Sequence, residues 1–355
     1  MSGAKSLSVE QRLLRAWYSD SWWLVFLRPV SWLFSGLARA RRRRLQNRFQ
    51  GRAFKAPVAV IGNISLGGSG KTPTIIALVK SLAARGIKAG VVSRGYGGRA
   101  RRFPLEVKFD TDVTLCGDEP KLLALELSSL GCPIVVAPDR LMAVEYLLAL
   151  TDVDIVLSDD GLQHYSMHRD LEIVLIDGAR GLGNGRTLPA GPLREPVERL
   201  LEVDLVLING QADIPGVRAD GRIGLQPRLF RHLASNKTVA ADNWRESRVV
   251  HGVAAIGNPE RFAASLQSLG LEVLLHGRDD HKVLSPGDLE YADQLPVIIT
   301  AKDAVKLGGP IPDNLWVLDV EMVLEPTFVD EFIAKAGLVA LDTGADRSAV
   351  NDAQD

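Results

Sequence analysis

The sequence predicts an α/β protein: a larger domain built on a parallel sheet with helices on both faces, then a second, smaller α/β domain. From residue 57 onward, short apolar runs rich in β-branched residues alternate with helical stretches, a pattern typical of buried parallel strands. The alternation stops over residues 211–248 and then resumes. Hydrophobic and charged contents of 46% and 24% are ordinary for a globular protein.

The elements follow in order along the chain. In the larger domain, strands are predicted at 57–62, 89–93, 133–137, 153–158, 171–176 and 203–208, with helices at 71–85, 118–130 and 138–150. In the smaller domain, strands are predicted at 249–256, 271–276, 296–300 and 315–320, with helices near 259–269, 301–307 and 326–337. We therefore divide the chain into an N-terminal segment (1–56), the larger domain (57–210), a β ribbon or linker (211–248), the smaller domain (249–337) and a disordered tail (338–355).

The N-terminal segment differs in charge from the rest of the chain. Residues 1–56 carry 12 Lys and Arg against two acidic residues, although the whole chain has a net charge of −1. Such asymmetry predicts contact with a polyanionic surface. Four of the six tryptophans also lie within the first 32 residues.

An apolar run in this segment begins at Ser21 and is interrupted by Arg28 and Pro29. It is shorter than the roughly 20 apolar residues that a transmembrane helix needs. The basic cluster Arg41–Arg44 follows the run, whereas a secretory signal has its positive charge in front. We interpret the segment as a helix lying at an anionic membrane surface. A helix docked on its own domain, a full span and a nucleic-acid-binding arm are the alternatives.

The two cysteines, Cys116 and Cys132, fit no metal-binding spacing and are too few for a disulfide framework. We expect structural thiols in a reducing compartment.

The stretch GNISLGGSGKTP (62–73) lies between a predicted strand and a predicted helix. Glycine-rich backbone at a helix N-terminus binds phosphate, and a following Gly-Lys-Thr adds a lysine for the β- and γ-phosphates and a hydroxyl for Mg²⁺. Five positions before Gly70 stands Ser65, where the usual pattern has glycine. The alternative is a strand-to-helix turn with a chance Gly-Lys-Thr. The residues predicted to bind nucleotide are Gly67, Gly68, Ser69, Gly70, Lys71 and Thr72.

Three acidic stretches are candidates for metal binding and proton transfer. Asp159-Asp160 follows an apolar strand, where open α/β sheets place their sites; Asp160-Gly161 could instead only form a turn. Asp118-Glu119 precedes a helix, where Asp118 could equally be an N-cap. Asp279-Asp280-His281 follows a strand of the smaller domain, and His281 would be catalytic only if it met Asp118 across a cleft.

Other polar residues follow strands or lie in proline-bounded loops and are candidates for substrate contact. These are Asn63, Arg94, Tyr96, Gln163, His164 and Glu195.

Seven stretches together resemble the tetraacyldisaccharide 4'-kinase family, which phosphorylates the lipid A precursor of Gram-negative bacteria. They are GNISLGGSGKTP (62–73), SRGYGG (93–98), GDEP (117–120), DDGLQH (159–164), PAGPLRE (189–195), DDH (279–281) and TAKDAVK (300–306). The family's loop has serine or threonine at the position of Ser65. Two positions depart from its pattern: residues 277–282 read GRDDHK, and Ala301 replaces a glutamate.

The resemblance implies a P-loop kinase-like fold, ATP as donor, Mg²⁺, and attachment to the cytoplasmic face of the inner membrane, peripherally or by shallow insertion of the N-terminal segment. It implies that Asp118 is the catalytic base, paired with His281, and that Lys71 stabilises the phosphates. Thr72, Glu119, Asp159 and Asp160 would surround Mg²⁺. The acceptor would be the lipid A disaccharide precursor, and we expect neither nucleic acid nor a protein partner.

Two other functions compete with this interpretation. A membrane-recruited P-loop ATPase or GTPase switch is one, but guanine selectivity would require an Asn-Lys-x-Asp stretch, and residues 209–213 read NGQAD. A nucleic-acid-associated ATPase using Arg41–Arg44 is the other; it would need aromatic stacking positions in a basic groove, which the sequence does not indicate.

Overall fold

The computed structural model describes residues 9–19, 21–49, 53–280 and 282–340. His281, predicted to be catalytic, and residues 341–355 of the predicted tail lie outside these ranges.

Nine α-helices occur in the described ranges. They are α1 (Val9–Trp17), α2 (Arg28–Phe49), α3 (Lys71–Ala83), α4 (Val113–Cys116), α5 (Asp118–Leu127), α6 (Arg140–Leu150), α7 (Pro259–Gln267), α8 (Ala301–Ala304) and α9 (Pro326–Lys335). None of the described helices is both long and apolar enough to cross a membrane.

The same part of the chain forms one sheet of thirteen strands. These are β1 (Val58–Gly62), β2 (Ala89–Ser93), β3 (Leu105–Glu106), β4 (Ile134–Val136), β5 (Ile155–Asp159), β6 (Leu171–Asp177), β7 (Leu205–Asn209), β8 (Gly221–His232), β9 (Thr238–Ala240), β10 (Val249–Ala254), β11 (Glu272–Gly277), β12 (Val297–Thr300) and β13 (Leu315–Leu324). Their order is β11-β10-β12-β13-β8-β7-β6-β1-β5-β2-β4-β3, with β9 paired to β8.

The sheet contains two groups of parallel strands joined by a long antiparallel pair. In the first group, β1, β2, β4, β5, β6 and β7 are parallel, and β8 continues this direction. In the second group, β10, β11, β12 and β13 are parallel to one another. The antiparallel pairing of β13 with β8 therefore gives the two groups opposite directions.

This arrangement makes the carboxyl ends of the two groups face each other. β7 ends beside Ile223 of β8, whereas β12 ends beside Leu318 of β13, which is paired with Phe230 of β8. At the usual rise per residue, the seven residues between these two levels separate the ends by about 23 Å. Because sites in open α/β sheets lie beyond the carboxyl ends of strands, both groups direct their loops into one cleft.

Apolar cores cover both faces of each group of strands. β1 is buried along its whole length, as a strand covered on both faces must be. Its alternate residues enter two separate cores: Ala59 and Ile61 pack with helix α3 on one face, and Val58 and Val60 pack with α6 on the other. Two further cores cover the second group.

The predicted fold class is confirmed: the strands and longer helices lie within a few residues of their predicted positions. Residues 211–248, expected to be a ribbon or linker, contain β8 and β9, which pair with each other antiparallel. Because β8 pairs with β7 of the first group and β13 of the second, it connects the two groups within one sheet. The division into separate domains stays a prediction.

The N-terminal segment is docked on the first group of strands. Ala16, Trp17 and Leu24 are buried and pack against Leu66, which precedes the glycines of the phosphate loop, and against Leu188. The Trp17 indole Nε1 donates to the carbonyl oxygen of Pro189 at 3.0 Å. The opposite side of the segment exposes large apolar side chains, among them Trp22, Phe26 and Trp32.

Candidate active site

The backbone of the phosphate loop adopts conformations that require glycine at two positions. Gly67 has φ +100° and Gly70 has φ +93°, in the left-handed region that other residues enter at a cost. A Cβ atom on Gly70 would also lie 2.4 Å from the Asn209 side-chain nitrogen. Gly68 has neither restriction: its backbone is ordinary and its Cβ direction is open.

Two amide side chains hold the loop. Asn63 Nδ2 donates to the carbonyl oxygen of Gly67 at 3.2 Å, and Asn209 Nδ2 donates to that of Ser69 at 2.9 Å. The Ser69 hydroxyl is buried with no hydrogen-bond partner among the described residues. The loop is therefore held in place ahead of helix α3, whose N-terminus attracts anions.

Lys71 lies against the second aspartate of the pair at the end of β5. Its Nζ is 3.6 Å from Asp160 Oδ1 and 3.4 Å from Asn63 Oδ1, and Arg194 Nη1 is 3.2 Å from Asp160 Oδ2. Burial alone would raise the pKa of Asp160, but the charges of Lys71 and Arg194 outweigh it and lower this pKa. Asp160 also has φ +48°, as in the turn considered as an alternative for Asp160-Gly161. Its carboxylate is in addition paired with Lys71 and Arg194.

Asp159 is fully buried, and its Oδ1 has no hydrogen-bond partner in the described part of the chain. Burial, followed by the negative charge of Glu119, raises the pKa of Asp159 to about 7. A cation here would remove that penalty, since a charged carboxylate is costly to bury unless paired. The buried Thr72 lies in the first turn of helix α3.

These residues fit Mg²⁺ but not a metal held by the protein alone. In the described ranges, no three His, Cys, Asp or Glu side chains form a metal-binding group. Mg²⁺ usually takes one or two carboxylates and completes its shell with waters and substrate phosphates. An unpartnered Asp159 oxygen close to the phosphate loop matches that requirement.

Asp118 is the first residue of helix α5 and is buried. The N-cap is Gly117, with φ +89°, so the alternative of an Asp118 N-cap is wrong. Asp118 Oδ1 accepts from the Glu119 backbone N–H at 3.0 Å, and Oδ2 is 3.8 Å from the ammonium nitrogens of Lys302 and of Lys306.

Lys302, in the short helix α8 that follows β12, links the two groups of strands. Its Nζ is 3.1 Å from Glu119 Oε1. Burial alone would lower the pKa of Lys302, but Glu119, Asp118 and Asp280 together raise it. Asp280 thus lies close enough to influence Lys302, while the neighbouring His281 lies outside the described residues. The predicted pairing of His281 with Asp118 stays a prediction.

Five of the six candidate substrate residues fall into two sets. Arg94 and Tyr96 are exposed in the loop after β2, which packs closely against Gly117. Asn63, Gln163 and Glu195 instead form a partly buried network, in which Gln163 Nε2 donates to the Asn63 carbonyl oxygen at 3.2 Å and to Glu195 Oε1 at 2.8 Å. Substrate contact by either set stays a prediction.

His164 has a contact that the sequence did not indicate. Its Nε2 accepts from the backbone N–H of Arg140 at 3.2 Å, at the start of helix α6. Burial, followed by the charge of Arg140, lowers the pKa of His164, which favours the neutral ring that can accept this bond. His164 therefore helps the N-cap Asp139 to fix the beginning of α6.

Sequence reasoning missed several residues that shape the site. Arg140 is buried and donates from Nη2 to the carbonyl oxygen of Asp159 at 3.1 Å, which fixes the end of β5. Arg180 Nη2 donates to the Gly257 carbonyl oxygen at 2.7 Å, joining the two groups of strands. One feature of the sequence could have indicated Asn209: it ends an apolar run, and residues at the carboxyl ends of strands line the sites of open α/β sheets.

A family model described as tetraacyldisaccharide-1-P 4'-kinase matches residues 23–337. The chain belongs to this family. The family predicted from the seven stretches is confirmed, and the chain is a kinase. Family membership does not favour the alternative of a P-loop switch without a lipid substrate.

Relatives of the tetraacyldisaccharide 4'-kinase family match nearly the full length of the chain. The tetraacyldisaccharide 4'-kinase of Azotobacter vinelandii is 44% identical over 331 residues, 92% of this chain and 97% of the relative. That of Pseudomonas aeruginosa strain LESB58 is 42% identical over 335 residues, 93% and 98% of the two chains. The crystal structure of LpxK from Aquifex aeolicus in complex with ATP has a TM-score of 0.71 at 25% identity, covering 88% of this chain and 99% of that one.

Proposed function

We propose that the chain transfers the γ-phosphate of ATP to the 4'-hydroxyl of a tetraacyldisaccharide 1-phosphate, giving lipid IVA in lipid A biosynthesis. The relatives' printed names specify this acceptor and position, and the Aquifex LpxK is bound to ATP. One observation carries the proposal at the level of residues. Lys71 and the phosphate loop face the same cleft as the buried Asp118, and Glu119 contacts Lys302 from the opposite group of strands.

The phosphate loop binds the donor. Backbone N–H groups at the start of α3 receive the β- and γ-phosphates, and Lys71 transfers from Asp160 to them. The 3.6 Å separation of Lys71 Nζ from Asp160 Oδ1 is longer than a close charge-assisted hydrogen bond, so this exchange replaces a weak contact with a strong one. Arg194 then remains with Asp160 and balances its charge.

Thr72 and Asp159 would hold Mg²⁺ together with the nucleotide phosphates, with Glu119 and Asp160 nearby. When bound, it offsets the charge that accumulates on the transferring phosphoryl group.

Asp118 accepts the proton of the acceptor's 4'-hydroxyl as its oxygen attacks the γ-phosphorus in line. The Glu119 N–H fixes one carboxylate oxygen at 3.0 Å, which orients the group toward the cleft. Lys302 and Lys306 hold the same carboxylate from the second group of strands. His281 is assigned as its orienting partner. Little covalent chemistry falls to the protein in such a transfer, so this positioning is its main contribution.

The N-terminal segment holds the kinase at the cytoplasmic face of the inner membrane. Trp22, Phe26 and Trp32 are 76%, 71% and 72% exposed, and exposed apolar side chains grouped in one segment mark an interaction or membrane surface. Helix α2 continues into the exposed Arg41, Arg43 and Arg44. Aromatic side chains followed by guanidinium groups suit the interface of an anionic bilayer, where the acyl chains of the acceptor also reside.

A label-transfer assay tests the proposal. Purified protein is mixed with γ-labelled ATP, Mg²⁺ and the tetraacyldisaccharide 1-phosphate in detergent, and lipid-bound label is measured. We expect label in the lipid only with acceptor and Mg²⁺ both present. Hydrolysis of ATP without labelled lipid would contradict the proposal and favour an ATPase.

A further inference from the structure

A cavity of about 340 Å³ lies between helix α2 and the loop that precedes Arg194. Arg28, Trp32, Ser35 and Arg39 line it from the helix side, and Arg186 and Thr187 from the loop side. Nothing in the mechanism above uses this cavity. Its size suits a small polar ligand group rather than a whole lipid.

The cavity has more positive than negative charge. Arg39 is paired with Glu198 at 3.5 Å. In the described part of the chain, neither Arg28 nor Arg186 has a carboxylate within ion-pair distance, and the buried Arg28 Nε has no acceptor. Among the described residues, these two guanidinium groups thus line one cavity with no carboxylate paired to either. A phosphate monoester carries a charge between about −1.5 and −2 near neutral pH, and guanidinium groups bind it through paired hydrogen bonds.

We propose that this cavity binds the phosphate already present at position 1 of the acceptor, through Arg28 and Arg186. The inference rests on the proposed function, because it concerns the acceptor of that reaction. It assigns these two arginines as specificity residues that distinguish the 1-phosphorylated disaccharide from the unphosphorylated one.

The cavity lies at a suitable distance from the phosphate loop. Thr187 pairs with Leu193, and Leu193 pairs with Ser65 of the phosphate loop, as in three neighbouring strands. At the usual spacing between strands, Thr187 lies about 10 Å from Ser65. This is comparable with the length of a disaccharide, so a sugar with its 1-phosphate in the cavity extends its far ring toward the transferring phosphate.

The wall of the cavity is rigid. The Ser31 hydroxyl donates to the Thr187 carbonyl oxygen at 2.8 Å and accepts from the Ala190 backbone N–H at 2.9 Å. The Ser35 and Thr187 hydroxyls lie 2.7 Å apart. These bonds tie α2 to the loop, so the backbone segments that carry the two arginines are connected to each other before the ligand arrives. The exposed Trp32 at the rim belongs to the proposed membrane-facing side, toward which the acyl chains would leave.

Equilibrium binding without ATP tests the inference independently of catalysis. The acceptor and its enzymatically dephosphorylated form are titrated in detergent against the wild type and the Arg186→Ala variant. We expect the wild type to bind the 1-phosphorylated form about 10- to 100-fold more tightly, the usual strength of a charged hydrogen-bonded pair. Arg186→Ala should lose most of that difference, and Arg186→Lys should restore part of it because it keeps the charge.

Arg218→Ala is the control, since the Arg218 side chain is 92% exposed and remote from the cavity in sequence; it should behave as the wild type. Equal binding of both acceptors by the wild type would overturn the inference, as would an equal loss for both in Arg186→Ala. Displacement of the acceptor by phosphatidylglycerol micelles at the same concentration would assign the cavity to phospholipid headgroups instead. Failure of label transfer with this discrimination intact would refute the proposed function alone.

Discussion

At the scale of single residues, the phosphate loop illustrates how backbone conformation limits the sequence. Gly67 and Gly70 have positive φ, and Asn209 occupies the space that a side chain at Gly70 would need. Gly68 has no such restriction. The three glycines of the stretch GGSG (67–70) look equivalent in the sequence. The structure distinguishes them, because only Gly67 and Gly70 have a positive φ.

We predict that Gly70→Ala destabilises the nucleotide-free protein and Gly68→Ala does not. A non-glycine residue with positive φ costs about 1–2 kcal/mol, and the new methyl group must also displace the Asn209 side chain. Thermal unfolding without nucleotide measures the difference between the two variants. Equal melting temperatures for both would show that the loop relaxes freely and that its conformation is not fixed.

The sequence predicted those site residues that belong to local motifs. Lys71 begins a helix and Asp159 ends a strand, so their shared edge of the sheet followed from topology, whereas the role of Asp118 was implied only by the family resemblance. Arg140 could not be found in this way, because its role depends on the carbonyl oxygen of Asp159, a residue distant in sequence. The surroundings of Lys302 were equally hidden, since they require the second group of strands to face the first.

At the scale of elements, the N-terminal segment packs against the phosphate loop on one side and exposes large aromatic side chains on the other. Its buried side packs Leu24 against Leu66 of the phosphate loop, while Trp22, two residues earlier, is exposed. The sequence predicted the exposed aromatic side and left docking on the domain as an alternative. The structure has both, because a helical segment presents different residues to its two sides.

We predict that two variants of this segment change different properties, one the KM for ATP and the other binding to anionic vesicles. Leu24→Ala removes buried apolar contacts, worth about 2–5 kcal/mol at such positions, and should raise the KM for ATP because Leu66 loses its support. Trp22→Ala should leave the KM for ATP unchanged and weaken binding to anionic vesicles, as measured by co-sedimentation. If Trp22→Ala raised the KM for ATP as much as Leu24→Ala, the two sides of the segment would not be separate.

Individual strands were predictable because each is a short apolar run bounded by polar residues. The pairing of β8 with β13 was not. β8 is only partly buried and alternates irregularly along its twelve residues, so periodicity gave no clear strand. Its partner lies about ninety residues later in the chain, a separation that local patterns do not encode.

At the scale of the whole molecule, the carboxyl ends of two groups of strands share one cleft, and a few polar contacts join its sides. Arg261 of α7 donates from Nη2 to Asp177 Oδ1 at 3.0 Å and to the Asn209 carbonyl oxygen at 3.3 Å. Arg180 bonds to Gly257. These contacts hold the second group over the phosphate loop.

We predict that Arg261→Ala lowers both stability and turnover. It leaves the buried Asp177 without its ion pair, at a cost of about 1–3 kcal/mol, and it loosens the approach of the second group. Arg248→Ala is the matched control: Arg248 and Glu272 form a pair in which both side chains are largely exposed, and such pairs contribute about 0–1 kcal/mol. The free energy of unfolding, measured with urea, and the steady-state turnover should fall in Arg261→Ala and stay unchanged in Arg248→Ala. A similar small change in both would mean that the cleft does not depend on this contact.

We infer that one cleft brings Asp118 to the acceptor while the phosphate loop holds ATP. The most direct test of this inference compares the wild type with Asp118→Asn, measuring label transfer to lipid and ATP affinity on the same samples. Asparagine keeps the shape of the side chain but cannot accept the proton, so turnover should fall by about 100- to 10,000-fold while ATP affinity stays unchanged. A collapse of ATP affinity, or near-normal transfer to the lipid, would contradict the account.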